Sequence, residues 1–354
     1  MNISLLAINS FNIAIFIAVF LTFLIINLLR PVALRINLID LPSNRKKHEG
    51  SVPLIGGISM FFAFSISFLL TGIDLSDSKY FLLASFVIVT IGALDDYYDI
   101  SVRYRLFFQI LAATIVTIIA GVNIESLGTI FSFREEILLS SWSVIVTIIA
   151  VIVAINAINM SDGINGLSGS ISFVSFFMLA FFSYIDGKQE SLIIASLMCS
   201  VILPFLYYNL SSKIASKKII FMGDAGSMFL GLGIVWLLVT LSQGSYRSFS
   251  PVIALWLFAI PLIDATSTVI RRILKGQSPF KPDLTHIHHV LIHIGFSKKL
   301  VLITLFLFSF FMALIGFLAE FYKIAEWKMF LSFVIIFIIF YVLKNYIISK
   351  NNIG

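Results

Sequence analysis

The feature that most limits what this chain can become is the recurrence of long apolar runs, from IAIFIAVFLTFLII near the N-terminus to VLITLFLFSFFMALIGFL near the C-terminus. A helix of about 20 apolar residues crosses a bilayer. In lipid a backbone must satisfy its own hydrogen bonds, which restricts spanning segments to helices and closed barrels. Eleven helical spans are expected, at 10–29, 53–72, 79–95, 104–121, 142–159, 166–184, 191–208, 225–242, 251–270, 299–319 and 327–345. Of the 354 residues, 59% are hydrophobic and 12% charged, against about 45–50% and about 25% in a soluble domain. The chain therefore reads as all-α, a polytopic integral membrane protein with a single transmembrane domain over 1–354. The first run lacks a basic segment before it and a small-residue cleavage site after it, so it reads as a retained helix rather than a signal peptide. Cys199 has no partner cysteine and says nothing of compartment.

Lysine and arginine concentrate on the cytoplasmic side of membrane proteins. With the N-terminus outside and the C-terminus in the cytoplasm, 18 of the 24 Lys and Arg residues fall on the cytoplasmic side. The reverse orientation violates the rule. The same topology puts all five histidines, Asp95, Asp96, Asp162 and Asp224 on the cytoplasmic side. The loops 30–52, 96–103, 160–166, 209–224 and 271–298 then form one functional face. The net charge of +6 is first a topological signal, and it also favours anionic lipid or an anionic substrate there. No nucleic-acid partner is expected.

Five stretches on that face carry chemistry-capable residues. GALDDYYDI, Gly92 to Ile100, places Asp95 and Asp96 where a helix leaves the lipid. Paired carboxylates suit a Mg²⁺ site completed by substrate phosphates; the bland alternative is a charged helix end with Arg103 and Arg105 as partners. NAINMSDGINGLSG sets Asn156, Asn159, Asp162 and Asn165 three residues apart, on one helical face or in an unwound segment. A Gly/Asn turn is the alternative. FMGDAGS puts Asp224 just before an apolar helix, as an N-cap or as a ligand at a phosphate-attracting helix start. SPFKPDLTHIHH carries His286, His288 and His289, whose spacing is not a closed zinc set. Imidazoles reaching a phosphate or sugar, or a basic loop at the lipid interface, are the two readings. RKKHEGSVPLIGG brings Lys47 and His48 to the start of the second span, as positive-inside residues demand. Asp264, inside a span, either pairs with a cation near Arg271 and Arg272 or faces the cavity. Carboxylates, amides, imidazoles and cations gathered on one face are the inventory for phosphoryl transfer.

In this order, GALDDYYDIS, NAINMSDGINGL, FMGDAGS and SPFKPDLTHIHH resemble the signature segments of the polyprenyl-phosphate N-acetylhexosamine-1-phosphate transferases, glycosyltransferase family 4. The resemblance extends over nearly the whole chain and is closest to the branch that uses UDP-GlcNAc. It implies a multi-pass enzyme of the bacterial inner membrane that transfers GlcNAc-1-phosphate from UDP-GlcNAc to undecaprenyl phosphate and releases UMP. The product would start O-antigen, common-antigen or wall-polymer synthesis. The resemblance implies Mg²⁺ or Mn²⁺ as cofactor and allows a homodimer. It implies Asp95, Asp96, Asp162 and His286 as catalytic, and Asp224 with Asp95 and Asp96 as metal ligands. Lys47, His48, Asn156, Asn159, Asn165, Arg272, His288 and His289 would bind substrate. Many family members read DGIDGL; this chain reads DGINGL, and Asn165 gives up a charge, which argues against a base or dominant metal ligand there. The alternatives are the same chemistry on UDP-MurNAc-pentapeptide, UDP-FucNAc or UDP-QuiNAc, or a transporter. A transporter would place ionisable residues at the midplane and show inverted repeats, whereas here they sit at one interface.

Overall fold

The structure is a computed structural model that describes residues 2–40, 51–72, 78–131, 135–211, 219–279 and 284–353. It is built of helices: α1 (Asn2–Arg35), α2 (Gly56–Leu69), α3 (Ser78–Tyr98), α4 (Val102–Thr114), α5 (Ser143–Ser161), α6 (Leu167–Ile185), α7 (Gln189–Asn209) and α8 (Gly223–Ser242) come first. Then follow α9 (Ile253–Leu257), α10 (Ala259–Leu274), α11 (Ile287–His293), α12 (Lys298–Phe321) and α13 (Glu326–Lys350). A π-helical turn, Ile115–Ile119, prolongs α4. A two-residue antiparallel pair, β1 (Ile39–Asp40) with β2 (Val52–Pro53), joins α1 to α2.

Among the described residues, nine helices are long and apolar enough to cross a membrane. They accommodate nine of the eleven expected spans. The other two differ. The span expected at 53–72 is the 14-residue α2. The span expected at 251–270 is broken after Leu257 into α9 and α10. Pro261 accounts for the break: it offers no N–H to the Leu257 carbonyl, and its ring clashes with a carbonyl four residues back. The connection 271–298 is not purely a loop, since it contains α11.

Most of the long helices are apolar on all sides, α10 being the amphipathic exception, and burial sorts them. In α8, 94% of the membrane-length window is buried, against 22% in α1 and 17% in α13. So α8 is the axis of the bundle, packed by α2, α3, α5, α6, α7 and α9, while α1 and α13 present wide faces to lipid. Phe61, Phe64 and Phe81 pack around Phe229 of α8 edge-on or stacked, geometries that aromatic quadrupoles favour.

At its N-terminal end α8 meets its neighbours backbone to backbone. A Cβ on Gly57 of α2 would fall 2.0 Å from the Gly226 nitrogen, and one on Gly92 of α3 would fall 2.4 Å from the Ala225 Cα. The first amides of α2 are spent on this junction: Gly56 and Gly57 donate to the carbonyls of Phe221 and Met222, both at 2.9 Å. Three elements thus converge where α8 begins, and this junction carries the site. Replacing Gly92 by Ala forces α3 and α8 apart and should cost about 1–3 kcal/mol, the usual cost of overpacking. A thermal melt of the detergent-solubilised protein should show a clearly lowered midpoint; an unchanged midpoint contradicts the backbone contact.

Candidate active site

The adjacent carboxylates of α3 are sorted by what they touch. Asp96 is turned to the start of α8, where its Oδ1 accepts from the Asp224 amide at 2.9 Å and its Oδ2 from the Ala225 amide at 3.4 Å. The first amides of a helix have no partner within it and carry partial positive charge, so a carboxylate stabilises them. Gly223, at φ +71°, makes the turn that presents them, and a Cβ there would fall 2.3 Å from Asp96 Oδ2. Asp96 therefore fixes the first turn of α8, and with it Asp224.

Asp95 points elsewhere. Its Oδ1 accepts from the Ile100 amide at 2.8 Å, and its Oδ2 from Arg105 Nη1 at 2.9 Å. The same Nη1 donates to Asp224 Oδ2 at 3.1 Å. Asn159, near the end of α5, donates from Nδ2 to Asp224 Oδ1 at 2.9 Å and to Ser227 Oγ at 3.0 Å. Four helices, α3, α4, α5 and α8, thus supply one charged cluster. The Asp95 side chain is only 4% exposed, but Arg105 and Asp224 are 30% and 31% exposed, so the cluster opens outward on their side.

Among the described residues, no group of three or more His, Cys, Asp or Glu side chains is arranged to hold a metal ion. The donor chemistry still fits Mg²⁺, which takes one or two carboxylates and completes its shell with water and substrate phosphate. Asp95 and Asp224 offer two such carboxylates, whose Oδ2 atoms converge on the same nitrogen of Arg105.

Beside this cluster lies the turn after α5. Asp162 accepts from Ser168 Oγ at 2.5 Å, and Ser168 also reaches the Met222 sulfur at 3.6 Å, next to the start of α8. Asn209, at the end of α7, pins the region from both sides. Its Oδ1 accepts from the Gly166 amide at 2.5 Å, and its Nδ2 donates to the Ile220 carbonyl at 2.7 Å. On the far side of the turn stands His288: a Cβ on Gly163 would meet its Nε2 at 2.0 Å. His288 is 1% exposed, and its Nε2 has no hydrogen-bond partner among the described residues. Burial, and next the neighbouring His289 imidazole, pushes it down to about 3, so it stays neutral at pH 7.

The third part is buried on α10. Asp264 Oδ2 accepts from His286 Nδ1 at 2.9 Å, and its Oδ1 accepts from the Ile287 amide at 2.9 Å and from Lys344 Nζ at 2.6 Å. Arg272, about two turns further along α10, donates to the Pro279 carbonyl at 2.6 Å and approaches His286 Nε2 at 3.4 Å.

The structure therefore brings Asp95, Asp224 and Asn159 into one cluster, with Asp96 beneath it. It lines Asp162 and His288 along one edge, and brings His286, at the start of α11, against Arg272 of α10. His289 lies tilted against His288, with ring centroids 4.1 Å apart. Asn156 is not in the cluster: its amide donates to Gln109 of α4 at 2.8 Å. Asn165 is exposed on the turn. Lys47 and His48 lie outside the described residues. In the sequence Arg105 figured only in the alternative reading, as a partner of a charged helix end; the structure makes it the hub between Asp95 and Asp224. Sequence reasoning missed Asn209 and Lys344, whose only signal was a polar residue at the end of an otherwise apolar run.

Comparison with known proteins agrees with this geometry. The family model for glycosyl transferase family 4 matches residues 78–242, from α3 to the end of α8. Over 327 residues the chain is 38% identical to the undecaprenyl-phosphate alpha-N-acetylglucosaminyl 1-phosphate transferase of Haemophilus influenzae, covering 92% of each protein. The protein of the same name from Salmonella typhi is 39% identical over 92% of this chain and 88% of its own length. That of Escherichia coli strain K12 is 36% identical over 96% of this chain and 91% of its own. With the matched segment spanning every helix of the carboxylate cluster, and similarity running over nearly the whole length, the chain belongs to glycosyl transferase family 4.

Proposed function

We propose that this protein transfers GlcNAc-1-phosphate from UDP-GlcNAc to undecaprenyl phosphate, yielding undecaprenyl-pyrophosphoryl-GlcNAc and UMP. The observation that carries the reading is the convergence of Asp95 and Asp224 on Arg105 at the membrane-exit end of α3, in a chain so similar to transferases of that name. The product would begin the assembly of a surface polymer. The distribution of Lys and Arg supports a bacterial inner-membrane protein with this face in the cytoplasm, where a nucleotide sugar is met.

A phosphate monoester has its second pKa near 6 and is already mostly dianionic at pH 7. The acceptor thus needs no base; it needs a charged place to stand. Arg105 offers it. Its guanidinium carries five N–H donors in a planar fork suited to phosphate, and Asp95 and Asp224 hold one arm of the fork in place. Asp96, engaged with the amides of α8, keeps Asp224 in register rather than meeting substrate. A divalent cation, Mg²⁺ or Mn²⁺, held by Asp95 and Asp224, would neutralise charge on the donor diphosphate. An acceptor oxygen attacks the β-phosphorus of UDP-GlcNAc. The bond from that phosphorus to the bridging oxygen breaks, and UMP departs with that oxygen. Arg272 and the His288–His289 pair lie where the turn bearing Asp162 would border the donor, and their part is to bind its diphosphate and sugar.

The direct test supplies membranes carrying the protein with undecaprenyl phosphate and, separately, UDP-GlcNAc, UDP-GalNAc and UDP-MurNAc-pentapeptide. UMP should come from UDP-GlcNAc alone and be abolished by EDTA. Release from another sugar nucleotide instead moves the protein to a sibling specificity, and release unaffected by EDTA removes the metal. Arg105→Ala and Asp224→Asn should each lower turnover by about 100-fold or more, as expected when a charged group facing the transition state is lost. Asp96→Asn retains an amide oxygen that can accept from α8, so its turnover should fall by only about tenfold, the size of a lost hydrogen bond to a charged group. Equal damage from the Asp96 and Asp224 replacements would contradict this division of roles.

A further inference from the structure

Lys344 stands near the end of α13, the C-terminal helix, and its side chain is 3% exposed. Its ammonium donates to Asp264 Oδ1 at 2.6 Å, Thr268 Oγ1 at 2.7 Å and Ser267 Oγ at 2.9 Å, and lies 3.4 Å from the Asp264 carbonyl. A buried ammonium this well surrounded is held in one position. It neutralises Asp264, whose other oxygen faces His286.

His286 has a charged neighbour at each ring nitrogen. Nδ1 faces the Asp264 carboxylate, which can only accept, and Nε2 faces the Arg272 guanidinium, which can only donate. Those neighbours assign the ring: Nδ1 carries the proton and Nε2 the lone pair. That form persists only while something else balances Asp264. A buried carboxylate without a cation draws a second proton onto an adjacent imidazole. An imidazolium at His286 would present N–H to Arg272 and repel it. The imidazole of His288 also stacks on His286, and it supplies no fixed charge to do this. Lys344 does.

We propose that Lys344 is a positioning residue of the active site: through Asp264 it holds His286 in its neutral, Nδ1-protonated form, and His286 in turn holds Arg272. The donor-side role of Arg272 rests on the function proposed above; the Lys344–Asp264–His286 coupling does not. In consequence α13, which contributes nothing to the carboxylate cluster, sets the charge state of the site from 80 residues away in sequence.

The test uses the full-length protein in detergent micelles. The chain has five histidines, so ¹⁵N-histidine labelling gives a tractable spectrum, and His286→Ala assigns the resonance. In the wild type, His286 should show a protonated Nδ1 and an unprotonated Nε2. In Lys344→Met it should become an imidazolium at pH 7. The kcat/KM for UDP-GlcNAc in UMP release should fall roughly tenfold to a hundredfold, as for groups that act through a ligand-bearing neighbour, with part of the loss appearing as a raised KM because Arg272 loses its hold on the donor. The double variant Lys344→Met with His286→Ala should be no slower than His286→Ala alone, because the two act as one unit. Losses that multiply, or an unchanged His286 spectrum in Lys344→Met, would reduce Lys344 to a clasp between α13 and α10 and overturn the proposal. If Lys344→Met does not fold, Lys344→Met with Asp264→Asn replaces it. With no buried carboxylate left to draw a second proton, this neutral pair should keep His286 neutral, restore the melting midpoint and recover turnover; an imidazolium at His286, or a restored midpoint with turnover still low, overturns the proposal. A wild type that releases no UMP from UDP-GlcNAc sinks the functional reading alone, since the spectrum still reports the coupling.

Discussion

The carboxylate of Asp96 on the opening amides of α8 is the contact on which the site depends. α8 is the most buried helix of the bundle, and its first turn would otherwise leave buried N–H groups without partners. Asp96 satisfies two of them, and by doing so ties α3 to α8 at the point where Asp224 emerges. The two glycines that let α2 and α3 touch the α8 backbone serve the same junction. Asp95 and Asp224 can converge on Arg105 only because their helices are locked together one residue away. A fold held by nonspecific apolar packing, with little hydrophobic force between helices in lipid, gets its local precision from these polar and backbone contacts.

Much of this was legible in the sequence. Spans such as 79–95 and 225–242 reappear as α3 and α8, because a run of apolar residues in lipid has few other options. The polar stretches at Asp95, Asp162 and Asp224 stood out against an apolar background, and helices of alternating direction necessarily bring them to one end. The DDYYD stretch did not disclose that its two first carboxylates face different partners. That depends on where α8 starts relative to α3, a tertiary fact. Asp264 was legible as an intramembrane charge that either pairs with a cation, with Arg271 and Arg272 in view, or faces the cavity. Its partner is Lys344, one of three lysines on α13 and unmarked by any motif around it. The break between α9 and α10 had its cause in plain sight, at Pro261, but hydropathy over a window averages across it.

The site has two parts with different physics. The carboxylate cluster lies within the segment that matches the family, 78–242. Its charges are partly exposed and can exchange partners with a substrate. On α10 and α13 the buried Asp264 and Lys344 are matched to each other, so this pair behaves as a fixed setting, with Arg272 and the histidines between it and the donor. His288, neutral and close against Gly163, sits between the two. A donor bound along that seam would touch both parts, and phosphoryl transfer asks for that combination: adaptable cations at the reacting phosphates and a rigid frame behind them.

The central claim is that a phosphorylated sugar moves, not the sugar alone. The measurement that tests it most directly follows the β-phosphorus. UDP-GlcNAc labelled with ³²P in the β-phosphate is given to the protein with undecaprenyl phosphate, and lipid and aqueous phases are separated. The account predicts that the label moves into the lipid phase in step with the sugar and that the nucleotide released is unlabelled UMP. Label that stays in the aqueous phase as UDP, while sugar enters the lipid, would contradict it.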